Sequence, residues 1–351
     1  MTRFLLVSLL FLLPFVVAKP RIDNRTPTKD GWWDAQKEKA ARGVAGASGT
    51  SGSHWPTVGS FKVFTMNTWV TGSHVNDGVQ KIADQIVKIN ADIVAIQELS
   101  NRTNLAKLAA ILAPDWQLAS TSSDGAIISR HPIDETYKVD AGTGARMLIN
   151  GTHPVHVYSM HLAYRSYGPY LAINKNVKNV SLFDLGESFG SWSRYNNIAN
   201  LLKDATFRKW NASTADVPLI LAGDFNSPSH LDWTAATKEQ HGDWVYRWPA
   251  TALLQSEGKL VDSFRERHPD PRAEPGITWS TYQTAYSTDW NYQLPEPQDR
   301  IDFIFYKSPA LTVRDSYVYA DEFQPQPAKP DENVWPSDHY AVITEFEWRT
   351  R

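Results

Sequence analysis

The stretch Leu219-Ile220-Leu221-Ala222-Gly223-Asp224-Phe225-Asn226-Ser227-Pro228 constrains this chain more than any other. Leu219 to Ala222 is continuously apolar, the pattern of a strand covered on both faces. Gly223 lets the backbone turn or approach a neighbour closely. Asp224 and Asn226 then stand at the strand's exit, where site-building loops leave a rigid scaffold. A carboxylate and a carboxamide two residues apart can hold a water and an oxyanion side by side. They can equally form an Asx-turn, in which both side chains bond only local backbone. The spacing alone leaves both readings open.

The flanking segments supply layers for such a strand. Phe61 to Met66 alternates as a strand does and ends in Asn67. Val79, Ile82, Ala83, Ile86 and Val87 follow helical spacing, and Asn90 closes that helix. Asp92 to Gln97 reads as a buried strand with Glu98 at its exit. This strand–helix–strand order predicts an α/β layered fold. A second helix is expected over Leu105 to Leu112, and a strand over Gly125 to Arg130. Arg146 to Ile149 and Val155 to Met160 pair as strands across the hairpin signal Asn150-Gly151, the second ending at His161. Residues 163–193 read as one long irregular, aromatic-rich connection, a kind that is usually functional. A helix from Arg194 to Asp204 leads into the central strand. Leu260 to Phe264 opens a short helix or strand, and a second aromatic loop carries Tyr282, Tyr286, Trp290 and Tyr292. Arg300 to Tyr306 is a strong strand, and Trp335 to Val342 a last one before a mixed tail.

Residues 1–18 have the build of a secretory signal: Arg3, then an apolar run from Phe4 to Val17, then the small-residue end at Ala18. That run is too short to span a bilayer comfortably. An N-terminal arm over 19–59 and one folded domain over 60–351 follow. With a signal, the sequons at Asn24, Asn101, Asn150, Asn179 and Asn211 predict N-glycans, mostly on exposed loops. No cysteine is present, so a secreted chain of 351 residues rests on its core rather than on disulfides. Cysteine nucleophiles and thiolate metal sites are excluded with it. A net charge of −3 gives no general basic excess for nucleic acid.

Polar side chains recur at the strand ends: Asn67, Glu98, His161, Asp224, Asn226 and His339, with Asp302 in or at the start of a strand. Ligands of layered sheet folds bind where strands exit into loops. Each residue also has a plainer reading. His161 can be a hydrogen-bonded core residue, Asp302 an ion-pair partner of Arg300, and Asp338-His339 a turn.

Asn67, Gln97-Glu98, Ser129-Arg130-x-Pro132, Met160-His161, Gly223-Asp224-Phe225-Asn226, Arg300-Ile-Asp302 and Ser337-Asp338-His339 occur in that order over about residues 60–345. In this the chain resembles the endonuclease/exonuclease/phosphatase superfamily, the DNase I-like metal-dependent phosphoesterases. The resemblance implies a four-layer α/β sandwich of two mixed sheets packed face to face with helices outside. It implies a Mg²⁺ site with Glu98 as leading ligand and Asn67 and Asp338 beside it, Mn²⁺ or Ca²⁺ being the substitutes. Oxygen donors with retained waters suit such a hard cation. It further implies that Asp224 activates water, Asn226 holds water or phosphate, His161 and His339 donate to phosphate oxygens, and Asp302 orients His339.

The expected activity is hydrolysis of a phosphodiester, in nucleic acid or a phospholipid head group, by in-line attack of water outside the cell. A phosphomonoesterase and a silent binding protein on the same fold are the alternatives. Asn226-Ser227-Pro228, and Gln298 where a cysteine precedes Asp299-Arg300, disfavour the inositol polyphosphate 5-phosphatase branch. A zinc peptidase is disfavoured too, because no His-Glu-x-x-His exists and His153-x-x-His156 lies on a strand-like segment.

Overall fold

The central strand sits in the middle of one of two stacked sheets. A computed structural model describes residues 59–349 except 123, 174–177, 282–295 and 324–329. Residues 1–58, with Asn24, and the rings of Tyr282, Tyr286, Trp290 and Tyr292 lie outside the described residues. In chain order the strands are β1 (Ser60–Asn67), β2 (Ile93–Gln97), β3 (Gln117–Ser120), β4 (Gly125–Ser129), β5 (Ile133–Val139) and β6 (Gly142–Ile149). They continue with β7 (His153–His161), β8 (Leu219–Asp224), β9 (Val261–Asp262), β10 (Asp302–Lys307), β11 (Leu311–Tyr319) and β12 (Ala341–Trp348). One six-stranded sheet has the order β11-β12-β1-β2-β4-β3 and the other β5-β6-β7-β8-β10-β9. Both are mixed: β1 runs parallel to β2, and β7 parallel to β8, among antiparallel neighbours.

The two-residue alternation of a strand decides what fills each layer. Between the sheets, Phe61, Val63, Ile93 and Ala95 meet Val155, Val157, Ile220, Ala222 and Ile304. On the opposite faces, Phe64, Met66, Val94 and Ile96 pack against Ile82 and Ile86 of helix α1 (Gly78–Ile89) and Leu105 and Leu108 of α2 (Arg102–Leu112). Tyr158, Leu219, Leu221, Phe303 and Phe305 pack against Ile198 and Leu201 of the Arg194–Lys203 helix and Phe207 of the Ala205–Ala212 helix. The result is the expected four-layer α/β sandwich.

Several expectations need correction. The connection over 163–193 is not irregular throughout, since Gly168–Ile173 and Ser181–Ser188 are helices. Arg194 organises it: its buried guanidinium donates to Glu187 and to the carbonyls of Ala163, Arg165, Ser166 and Gly186. The last strand is Ala341–Trp348, in the segment read as a mixed tail, while Trp335 to Tyr340 lies outside the strands except for a bridge at His339. Sequons also sit differently. Asn150 and Asn179 are exposed in turns, but Asn101 caps α2 by accepting from Asn104 N at 3.1 Å, and Asn211 lies in a helix where its Oδ1 accepts from Lys307 at 2.9 Å.

Arg300 does not pair with Asp302. It is buried and donates to Asp232 (Nε–Oδ2 2.9 Å) and Asp262 (Nη1–Oδ2 2.7 Å), and Arg265 reaches the same Asp232 at 2.6 Å. Burial raises the Asp232 pKa, but Arg300 and Arg265 outweigh it and hold the carboxyl below its usual range. Its stabilisation is therefore complete above the unfolded Asp pKa of about 3.9 and is lost as pH falls through the lower folded value. Asp232→Asn leaves two buried guanidiniums undercompensated. It is expected to cost about 3–5 kcal/mol, read as a lower urea midpoint with unchanged slope. Its acid-unfolding profile should also lack the part that Asp232 contributes.

Candidate active site

Followed toward one end of the sandwich, the layer between the sheets turns from apolar to polar. On the same inward-facing positions that carry Val63, Ala95 and Val157, the next residues are Thr65, Gln97 and Ser159. Gln97 Nε2 donates to Ser159 Oγ at 3.1 Å and to Thr65 Oγ1 at 3.3 Å, so this buried step is tied across both sheets. One step further stand Asn67 on β1, His161 on β7, Asp224 on β8 and Asp302 on β10. Strand register aligns the last three: His161 lies opposite Asp224, and Asp224 opposite Asp302.

Asp224 is the hub and is almost fully buried. Its Oδ1 accepts from Asn226 N at 2.7 Å, which is the Asx-turn. Its Oδ2 accepts from Asn67 Nδ2 at 3.0 Å and Asn226 Nδ2 at 3.3 Å, and lies 3.6 Å from His161 Nε2 and 3.8 Å from His339 Nε2. The turn and the site are thus the same structure, one oxygen serving each. Gly223 makes it fit: with φ +148°, a Cβ there would meet Met160 O at 1.9 Å.

His339 donates from Nδ1 to Asp302 Oδ2 at 2.9 Å, which aims Nε2 at Asp224. Burial disfavours its charge, yet Asp302 and Asp224 raise its pKa to about 10, so the ring is an imidazolium at neutral pH. Burial also lifts the Asp302 carboxyl, against the attraction of His339. Asp302 Oδ1 is buried with no hydrogen-bond partner among the described residues. Asp224, Asp302 and His339 offer ligand-type atoms all within 4.8 Å of one another.

Of the residues expected at the metal, Asn67 is buried, and Glu98 and Asp338 are half-buried. Glu98 has φ +62° and accepts from Val70 N at 2.8 Å, within a left-handed turn whose Trp69, Val70 and Thr71 have φ between 46° and 58°. Asn226 is also left-handed, at φ +48°. Strain of this kind gathers where side chains must be aimed. Asp338 is pushed up to about 6, first by burial and further by the neighbouring charge of Glu98. The oxygen-donor chemistry of Glu98, Asp338 and Asn67 is of the kind a hard divalent cation accepts.

Three residues to which the sequence alone assigns no role support the site. Ser337 donates from Oγ to Asn67 O at 2.5 Å and accepts from His339 N at 3.0 Å, tying the last motif to the first strand. Thr278 Oγ1 accepts from the amides of Ile301 and Asp302 at 2.9 and 3.0 Å. Trp279 bridges the backbones of Asp299 and His339, and its ring centroid lies 6.1 Å from that of His339. Each acts through a contact distant in sequence.

A cavity of about 630 Å³ opens beside Asn226, lined by Tyr164, Tyr167, Tyr170, Leu182 and Trp279 among others. The hydroxyl of Tyr167 donates to the buried Asp299 at 3.1 Å and that of Tyr170 to Glu296, so both rings are fixed. The loop's aromatics are therefore divided: Tyr167 and Phe183 are packed, whereas Tyr164, Phe189 and Trp192 are exposed.

Comparison with known proteins agrees with this fold. Residues 64–339 match the sequence profile of the Endonuclease/Exonuclease/phosphatase family. The chain belongs to this family. An uncharacterized protein, F14F9.5, of Caenorhabditis elegans is 40% identical over 299 residues, covering 83% of this chain and 93% of that one. The human Nocturnin catalytic domain with bound sulfate superposes with TM-score 0.51 at 15% identity over 83% of this chain and 95% of its own. D. rerio TDP2 complexed with single strand DNA product gives 0.52 at 17% identity over 82% and 98%. At these identities the two solved structures establish a shared fold. Membership in the endonuclease/exonuclease/phosphatase family places the chain among phosphoester hydrolases.

Gly223→Ala is expected to destabilise the fold by at least about 2–3 kcal/mol, because both φ and the space at Met160 O oppose a Cβ. Thermal unfolding compared with a Gly151→Ala control, where φ is +72° and nothing lies within 4 Å, separates the close approach from backbone strain.

Proposed function

We propose that the chain is a secreted, divalent-metal-dependent phosphodiesterase in which water attacks phosphorus in line. The observation that carries this reading is Asp224: one carboxylate oxygen facing two histidines and two carboxamides where the sheets end together. Phosphoryl transfer depends on positioning and charge stabilisation, and such a cluster offers both.

Glu98, Asp338 and Asn67 would hold the cation, Mg²⁺ by its preference for oxygen donors. When bound, it polarises a phosphoryl oxygen and steadies the leaving alkoxide. The chain's own residues do the rest. Asp224 Oδ2 accepts the proton of the attacking water, while Asn226, fixed by its bond to Leu162 O at 3.1 Å, orients that water or a phosphate oxygen. His161 and the charged His339 donate to the non-bridging oxygens, which gather charge in the transition state. Asp302 keeps Nδ1 of His339 occupied so that Nε2–H points at the phosphate. No side chain becomes phosphorylated. The aromatic cavity beside Asn226 takes the organic group on one ester oxygen, and its size suits a base or a head group. The apolar leader and the sequons support an extracellular setting, where both substrates occur.

Plasmid DNA, RNA, sphingomyelin and bis(p-nitrophenyl) phosphate, each with Mg²⁺ or EDTA, test the reading. At least one is expected to be hydrolysed in an EDTA-sensitive way. Asp224→Ala should lower kcat by roughly 10²–10⁴-fold while leaving thermal unfolding cooperative. A folded protein that turns over none of them with Mg²⁺, Mn²⁺ or Ca²⁺ would refute it. Rapid quench with a ³²P-labelled substrate should leave no label on the protein.

A further inference from the structure

Of the large apolar side chains exposed among the described residues, six of twelve fall in the connection over 163–193, namely Tyr164, Val180, Leu182, Leu185, Phe189 and Trp192, and Tyr195 follows in the next helix. Phe189 is 71% exposed and Leu185 52%. Leu182, Leu185 and Phe189 have the i, i+3, i+7 spacing of one helical face on and just after Ser181–Ser188. The opposite face is anchored: Phe183 packs with Trp233 and Trp248, and Glu187 pairs with Arg194 at 2.5 Å. The short helix therefore presents apolar residues on its solvent side as well as its core side. Contiguous apolar surface of this kind on a folded chain marks an interaction site.

The ridge continues into the cleft. Tyr164 and Leu182 line the cavity beside Asn226, and Tyr164 meets Trp192 edge-on with ring centroids 5.7 Å apart. A ligand held at Asn226 thus has an apolar path outward over Leu182 to Leu185 and Phe189. Exposed charge here is sparse. Arg165 and Lys178 are the exposed cations on this connection among the described residues, and the hydroxyl of Tyr246 donates to Asp184 at 2.6 Å. A single-stranded nucleic acid would call for a longer basic track to follow its phosphates. Aliphatic and aromatic side chains with a few cations at the margin are instead what the interfacial zone of a bilayer accepts.

We propose that the ridge from Val180 to Tyr195 docks on a phospholipid surface and brings a lipid phosphodiester to the cleft. This rests on the phosphodiesterase reading for its chemistry, but the docking is measurable without turnover. Protein expressed from the full sequence and the triple variant L185S/F189S/W192S are sedimented with vesicles of phosphatidylcholine, alone and mixed with phosphatidylserine. None of the three positions lines the cavity. The wild type is expected to co-sediment, with the bound fraction at least about tenfold lower in the variant. Hydrolysis of soluble bis(p-nitrophenyl) phosphate and thermal unfolding should stay within about twofold of the wild type. Equal binding by both proteins, or by neither, overturns the proposal. So does variant-sensitive binding of oligo(dT) without vesicle binding, which assigns the ridge to nucleic acid. A wild-type dimer dissolved by the variant, again without vesicle binding, assigns it to contact between copies of this chain. Absence of hydrolysis by a wild type that still binds vesicles strikes the catalytic reading alone.

Discussion

Everything at the candidate site depends on the register of three neighbouring strands. β7 and β8 run parallel and β8 and β10 antiparallel, so His161, Asp224 and Asp302 share one rung of the ladder and one face of the sheet. A slip of one residue in any of them would turn its polar side chain to the opposite face and an apolar one toward the cleft. The register is enforced from below, because Val157, Ala222 and Ile304 on the same faces are fully buried against the other sheet. Gly223 completes the arrangement by letting β8 pass against Met160 O where no Cβ fits. The apolar core thus sets the positions of His161, Asp224 and Asp302, which lie at the rigid ends of the strands.

The electrostatics follow from that placement. Burying Asp224 and Asp302 side by side is costly unless positive charge accompanies them. His339 supplies it through a 2.9 Å bond to Asp302 and a 3.8 Å approach to Asp224, which is why its ring is charged despite its own burial. Asp338 is raised first by burial and further by Glu98, against the attraction of the neighbouring His339.

The central strand, α1, β2, the Asn150-Gly151 hairpin and the Arg194–Lys203 helix were legible in the sequence, because each carries a strong local period or turn. So were the polar residues at strand exits, since alternation fixes their face before any tertiary contact is known. Edge strands were not. β3 has four residues, β5 is mostly exposed with a register shift between Ile133 and Glu135, and β11 is broken by a bulge between Val313 and Asp315. A period of two is lost where the strand bends or faces water. Arg300 could not be assigned either, because Asp232 and Asp262 reach it from distant parts of the chain. Ser337 was visible only as part of the Ser337-Asp338-His339 motif, without a role, and Thr278 was silent, because a hydroxyl that ties two segments has no pattern along one of them.

The connection over 163–193 shows how a buried charge can order what periodicity does not. Arg194 gathers four carbonyls and Glu187 around one guanidinium, using the planar fork of donors that lysine lacks. Ser227, in the loop after Asp224, donates to the same Glu187 at 3.4 Å, and Ala163 N donates to Asn197 at 3.0 Å. The connection is therefore anchored both to the site loop and to the helix behind it. Its outward apolar residues cannot be put down to loose packing, since the backbone beneath them is held at several points by buried polar bonds. With the inner face committed to Arg194 and Phe183, the positions of Leu185 and Phe189 are set by the helix period alone. At both positions the chain carries a large, exposed apolar group.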